Sequence, residues 1–221
     1  MKHVLVTVPL SPENQTIHSL SAQALLNLQR EQRYKVDIKL PCNKPFENNL
    51  HHIINSFVDG GYDYWLSFDP DNPPKRNPLD LIEYDKDIIG LPTPVWHFDE
   101  RNHPKGDRPF YLNAYDFSPE TDGYVEHALK EGIQQVDAIG TGCFLIARRV
   151  FLVEGMRKGA FTRKLNSDGT VRRGNDLSFC ERARNQGFKI FTHYDYPCMH
   201  FNNLEINEVV KGCFQTIIKR G

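Results

Sequence analysis

The chain is predicted to fold as an α/β domain in which neighbouring parallel strands are flanked by helices. Three observations carry this. Short β-branched or aromatic apolar runs stand at Val4–Val8 and Tyr64–Phe68, helix-spaced apolar positions lie between them, and the order alternates strand with helix. Val4-Leu5-Val6-Thr7-Val8 is stopped by Pro9, and Ile17, Leu20, Ala24, Leu25 and Leu28 then mark a helix within residues 16–32. Residues 34–40 alternate as a strand, residues 41–45 form a loop, and Leu50, Ile53, Ile54, Phe57 and Val58 mark a second helix from Asn49 that Gly60-Gly61 ends. The third strand, Tyr64-Trp65-Leu66-Ser67-Phe68, delivers Asp69 to its carboxyl end, where a ligand of such a fold sits.

Further along, residues 78–84 read as a short helix and 87–91 as a strand. Residues 92–121, rich in Pro, Asn, His and aromatic residues, read as long loops and short strands. Residues 136–146 are a strand pattern broken by Gly140-Thr141-Gly142, whose small residues let another backbone or a ligand come close; without a ligand, the same triplet reads as a β-bulge. Residues 149–157 and 176–186 read as helices, Gly187 as a cap and 188–191 as a last strand.

At 221 residues with 39% hydrophobic and 25% charged residues, one domain with its own core is expected, spanning 1–221. A net charge of -1 gives no global attraction to nucleic acid or anionic membranes. The cysteines, Cys42, Cys143, Cys180, Cys198 and Cys213, include no Cys-x-x-Cys pair and read as reduced structural thiols. The apolar run after Met1-Lys2-His3 is too short for a signal peptide or a membrane span, so a soluble, cytoplasmic protein without a membrane anchor is expected.

Asp69-Pro70-Asp71 places two carboxylates at a strand end. Aspartate oxygens suit hard cations such as Mg²⁺ or Mn²⁺, which can hold the phosphates of a leaving group; Asp, Pro and Asn are equally ordinary turn residues. Several separated motifs together widen the reading. They are the first strand ending in Pro9, Asn48-Asn49, the run Tyr62-Asp63-Tyr64-Trp65-Leu66-Ser67-Phe68-Asp69-Pro70-Asp71, the segment from Asp137 to Ile146, Gly174-Asn175-Asp176, and Cys198-Met199-His200. In this order and spacing the chain resembles the nucleotide-sugar-dependent glycosyltransferases of the GT-A fold, family 2-like, in the short form encoded by bacteriophages and bacteria. The resemblance implies a Rossmann-like mixed sheet, mostly parallel and flanked by helices, with residues 1–91 as the nucleotide-binding half and 92–221 as the acceptor and catalytic half. A phage-encoded enzyme would work in the host cytoplasm.

The resemblance also implies roles. Asp69, Asp71 and His200 would hold Mn²⁺ or Mg²⁺, with Asp69 alternatively touching the donor ribose. Thr7, Pro9, Asp37, Asn49, Asp69, Asp71 and Gly142 would bind the nucleoside diphosphate sugar, a UDP-sugar being favoured. Asp176 would be the base that deprotonates the acceptor hydroxyl, with inversion at the anomeric carbon. Asn175 stands where the family usually has glutamate. Each role has a plainer counterpart: His200 a packed or surface histidine, Asp37 an alternating polar residue, Asn49 and Asp176 helix-capping groups. Trp96, His97, Arg101, His103 and Arg108 fall in the region that varies with acceptor and take no role. The implied activity is transfer of a sugar to a hydroxyl acceptor, a glycan or a hydroxymethylated base in phage DNA. One rival is a sugar-nucleotide nucleotidyltransferase, against which stands the glycine-free stretch Val8-Pro9-Leu10-Ser11-Pro12-Glu13. The other is an inactive sugar- or nucleotide-binding module.

Overall fold

The computed structural model describes residues 1–13, 15–96, 110–128 and 131–201. The chain opens β1 (His3–Thr7), α1 (Ser19–Gln29), β2 (Lys35–Lys39), α2 (Phe46–Asp59) and β3 (Tyr64–Phe68), the alternation expected. A 3₁₀ helix (Pro78–Tyr84) leads to β4 (Ile88–Gly90). Short strands follow: β5 (Pro94–Trp96), β6 (Phe110–Leu112), β7 (Ala114–Ser118), β8 (Gly123–Glu126), β9 (Ile133–Val136), β10 (Ala138–Ile139) and β11 (Cys143–Ala147). A 3₁₀ turn (Arg148–Leu152), α3 (Glu154–Arg157), β12 (Lys164–Leu165), β13 (Val171–Arg173), α4 (Asn175–Asn185) and β14 (Ile190–His193) complete the order.

Seven strands form the central sheet in the order β2-β1-β3-β11-β4-β14-β9. The pairs β1–β2, β1–β3 and β4–β14 are parallel, whereas β11 runs against β3 and β4, and β9 against β14. Five of the seven strands therefore share a direction, and the sheet is mixed, mostly parallel and flanked by helices. Strands from before and after residue 91 interleave in it, so the two expected halves share one sheet.

Alternation along the strands divides the core between two faces. Leu5, Trp65 and Ile146 meet α2 and α4 through Ile54, Phe57 and Phe179; Val4, Val6, Leu66 and Leu145 meet α1 and the 3₁₀ helix through Leu28 and Leu79. Among the described residues no helix is long and apolar enough to cross a membrane.

Two helices differ from expectation. The second begins at Phe46 rather than Asn49, because Pro45 can precede a first turn, Phe46 packs on the core, and Glu47 suits the positive helix end. The helix expected over 149–157 is split: Val153 is extended (φ -81°, ψ 130°), separating a 3₁₀ turn from the one-turn α3.

Candidate active site

The carboxyl ends of the parallel strands gather the site. Asp69 follows β3, and its N–H donates to Gly142 O at 2.9 Å, on the segment that enters β11. The turn closes with Asn72 N–H on Asp69 O at 3.1 Å. The segment after β14 then returns across this edge: Cys198 N–H donates to Pro92 O, Met199 N–H to Pro73 O, and Phe201 N–H to Asp71 O. These five backbone bonds hold Asp69, Asp71 and His200 on one edge, although about 130 residues separate the aspartates from the histidine in sequence. From the other side His18, at the start of α1, donates its N–H to Pro70 O and stacks on Phe201 at 3.8 Å.

His200 Nδ1 lies 2.7 Å from Pro94 O. A carbonyl only accepts, so Nδ1 carries the proton, and in the neutral ring Nε2 presents a lone pair. Nε2 is 3.7 Å from Asp71 Oδ2. That is too long for a hydrogen bond and within the span of two groups sharing a cation at about 2.1 Å each. A backbone carbonyl behind a ligating imidazole is the usual partner that fixes its tautomer. The carboxylate oxygens suit Mn²⁺ and Mg²⁺ alike, and an imidazole nitrogen beside them favours Mn²⁺ over the oxygen-seeking Mg²⁺.

Among the described residues, however, no group of three or more His, Cys, Asp or Glu side chains forms a cation cage. The trio expected from sequence is thus a facing pair, Asp71 and His200, with Asp69 set back against Asn72, whose Nδ2 lies 3.4 Å from Asp69 Oδ2. Two protein ligands leave room for phosphate oxygens, as cations of this type commonly require. Burial, with the negative charges of Asp71 and Asp176 added, pushes the Asp69 carboxyl up to about 7. The same coupling places Asp176 within electrostatic reach of the Asp69-Asp71 step.

Asp176 sits in the first turn of α4. Its Oδ1 accepts from Leu177 N–H at 2.8 Å, and a Cβ on Gly174 would come within 2.9 Å of that oxygen, so glycine before the helix makes room for the carboxylate. Burial raises its pKa against the lowering effect of the Leu177 hydrogen bond. Asn175 Oδ1 accepts from Asp176 N–H at 2.9 Å, a local helix-start contact.

Other expected donor contacts are placed differently. Thr7 is fully buried: its Oγ1 donates to Ser67 Oγ at 2.9 Å and accepts from Trp65 Nε1 at 2.8 Å, so it ties β1 to β3 inside the core. Asn49 is also fully buried, its Nδ2 donating to Leu10 O and Pro41 O and its Oδ1 accepting from Asn43; it braces the loops after β1 and β2. Asp37 pairs in register with Leu5, which faces Trp65, so it lies four residues, about 13 Å, below the level of Asp69. There its Oδ2 accepts from Tyr62 Oη at 2.8 Å and meets His3 Nε2 at 3.0 Å, contacts that hold its carboxyl below the usual range. The buried Pro9 lies where Val8 N–H and Leu10 N–H continue the pairing toward Lys39 O and Pro41 O. His97, Arg101, His103 and Arg108 lie outside the described residues, as do Cys213 and the side chain of Trp96; the other four cysteines are free thiols.

Gly142 owes its identity to packing. A Cβ there would stand 2.5 Å from both Asn72 Nδ2 and Thr93 Oγ1. Both side chains are nearly fully buried, and among the described residues Asn72 Oδ1 and Thr93 Oγ1 have no hydrogen-bond partner. Sequence reading missed them because neither stands in a motif. Gly142→Ala is expected to push Asn72 from Asp69 and lower stability by about 1–3 kcal/mol; a melting temperature equal to wild type would refute this packing account. To one side, a cleft of about 130 Å³ opens between α2 and residues 159–162, lined by Asn48, His51, Phe161 and Thr162 but by none of the site carboxylates.

No protein-family model matches the chain, and no curated protein matches it by sequence. Solved structures do. The crystal structure of A197 from STIV superposes with a TM-score of 0.58 at 13% identity, covering 92% of this chain and 87% of that one. That is a likeness of fold. GalNAc-T7 with UDP, GalNAc and Mn²⁺ has a TM-score of 0.49 at 12% identity over 92% of this chain and 44% of that chain. Apo UDP-glucose pyrophosphorylase has a TM-score of 0.43 at 9% identity over 100% and 82%.

Proposed function

We propose that the chain is a metal-dependent, inverting glycosyltransferase that moves a sugar from a nucleoside diphosphate sugar to a hydroxyl acceptor. The observation that supports this is Asp71 facing a tautomer-fixed His200 at one sheet edge beside the strongly perturbed Asp69, whose carboxyl feels the charge of Asp176 on the first turn of α4. Asp71 and His200 would hold Mn²⁺ or Mg²⁺, which when bound supplies Lewis-acid neutralisation of the diphosphate leaving group. Asp69 orients the turn that carries Asp71 and adds negative charge behind it. Asp176 keeps Oδ2 available to take the proton of an incoming hydroxyl, with a basicity that burial raises above an ordinary carboxylate. A base acting opposite the departing diphosphate yields inversion. Gly142 belongs to this reading as the close-packed floor beside Asp69, and the backbone around Pro9 and residues 41–43 is left to meet the nucleoside.

The test is a panel of nucleoside diphosphate sugars, UDP-sugars first, incubated with the folded chain and Mn²⁺ and scored for released nucleoside diphosphate. Release from at least one donor, lost on adding EDTA, is expected. A flat panel from protein shown to be folded by circular dichroism refutes the reading, and donor binding without turnover identifies a binding module instead.

A further inference from the structure

We propose that Tyr111, Tyr115 and the Glu126 carboxylate form the acceptor subsite and that it takes a neutral carbohydrate, an inference resting on the transferase reading above. Tyr111 lies on β6 and Tyr115 on β7, with ring centroids 6.2 Å apart at 58°. Tyr115 pairs directly with Glu126 on β8, so the two share a sheet face. Leu112 N–H donates to Glu126 Oε1 at 3.1 Å and steadies that carboxylate beside the rings. The same face continues through Phe117 and Tyr124, whose rings are 5.5 Å apart.

This row adjoins the proposed base. Tyr115 and Leu177, the residue after Asp176, pack against the same core cluster. The strand β10 pairs with β7 and receives α4, with Cys180 Sγ 3.6 Å from Ile139 O. Asn113, between the two tyrosines, accepts from Gly140 N–H and donates its own N–H to Thr93 O, which ties the row to the Gly142 floor. Burial is the main reason both tyrosine hydroxyls titrate above their usual range; the interaction of the two hydroxyls with each other comes next, and the charges of Asp176 and Glu126 add to the rise at both.

The chemistry selects the ligand class. Aromatic faces stack on the apolar faces of pyranose rings, and carboxylates accept from sugar hydroxyls. Among the described residues, the two guanidinium groups over this row are neutralised: Arg173 pairs with Asp122 and Glu181, and Arg184 with Asp137, while both lie over the Phe117 and Tyr124 rings. Among the described residues, a polyphosphate backbone approaching the row would therefore meet the negative charge of Asp176 and Glu126, whereas a neutral polyol meets carboxylate acceptors and tyrosine hydroxyls that pair with its own hydroxyls.

The experiment uses the full chain with a donor found in the panel. Hydrolysis of donor without acceptor reports the donor half, and transfer to neutral methyl pyranosides and free oligosaccharides reports the acceptor half. Tyr111→Ala is expected to raise the acceptor KM about tenfold, with donor hydrolysis unchanged and Tyr111→Phe restoring most of the affinity. An unchanged acceptor KM in Tyr111→Ala overturns the subsite. So does transfer to duplex DNA containing 5-hydroxymethylcytosine with none to any saccharide. Absence of donor hydrolysis and of transfer in wild type instead defeats the transferase reading beneath it.

Discussion

Asp176→Asn is expected to fold and bind donor normally while kcat for transfer falls by about 10²–10⁴-fold, the range for loss of a general base. The substitution is nearly isosteric, and the asparagine oxygen can still accept from Leu177 N–H, the contact that Oδ1 makes now. Helix-start stability is therefore preserved, and a melting temperature within about 2 °C of wild type is expected, since the loss of one capping oxygen's charge is worth only a few tenths of a kcal/mol. The pH profile separates the roles further. A base must be deprotonated to act, so wild-type kcat is lost as pH falls through the Asp176 pKa. Burial places that loss above the ordinary carboxylate range, and Asp176→Asn has no such limb. If kcat fell less than tenfold with the acid limb intact, Asp176 would be a helix-start residue and the base would lie elsewhere.

The same geometry explains what sequence could and could not convey. The order β1-α1-β2-α2-β3 was legible because apolar spacing switches from period 2 to 3.6 and back, with breakers at each switch. Asp69 was legible for the same reason: it is the first polar residue after a five-residue buried strand. Alternation tells which face Asp37 takes but not its level along the sheet, which the Leu5 register supplies. The partners of Thr7 and Asn49 are hidden from sequence for a related reason. A polar residue near a strand end looks like a ligand contact until its partners, Trp65 and Ser67 for Thr7 and two loop carbonyls for Asn49, are seen to saturate it. The β12–β13 hairpin passed unnoticed because it pairs so few residues that no period develops. Asn72 and Thr93 became visible only through the space that Gly142 leaves them, a relation between residues far apart in the chain.

Asp69→Asn is expected to stabilise the metal-free protein at neutral and alkaline pH while impairing metal-dependent turnover. The native pKa of about 7 exceeds the unfolded value of about 3.9, so between these pH values the native state binds more protons than the unfolded state. Stability contributed by neutral Asp69 is fully present below the unfolded pKa and is lost as pH rises through the native one. A shift of this size corresponds to about 4 kcal/mol if fully realised, and Asp69 keeps part of its surface exposed, which reduces the expected effect to about 2 kcal/mol. For a chain of this size that is about 4–8 °C in melting temperature. In EDTA, wild type and Asp69→Asn should therefore melt together near pH 4 and diverge toward pH 8, the variant being the more stable. Millimolar Mn²⁺ should narrow the gap at pH 8, because a cation at Asp71 and His200 offsets the repulsion that adds to burial in raising Asp69 and stabilises wild type by mass action. Parallel melting curves across the pH range would show that Asp69 carries no buried negative charge. A gap that Mn²⁺ leaves unchanged would separate that charge from the proposed cation site.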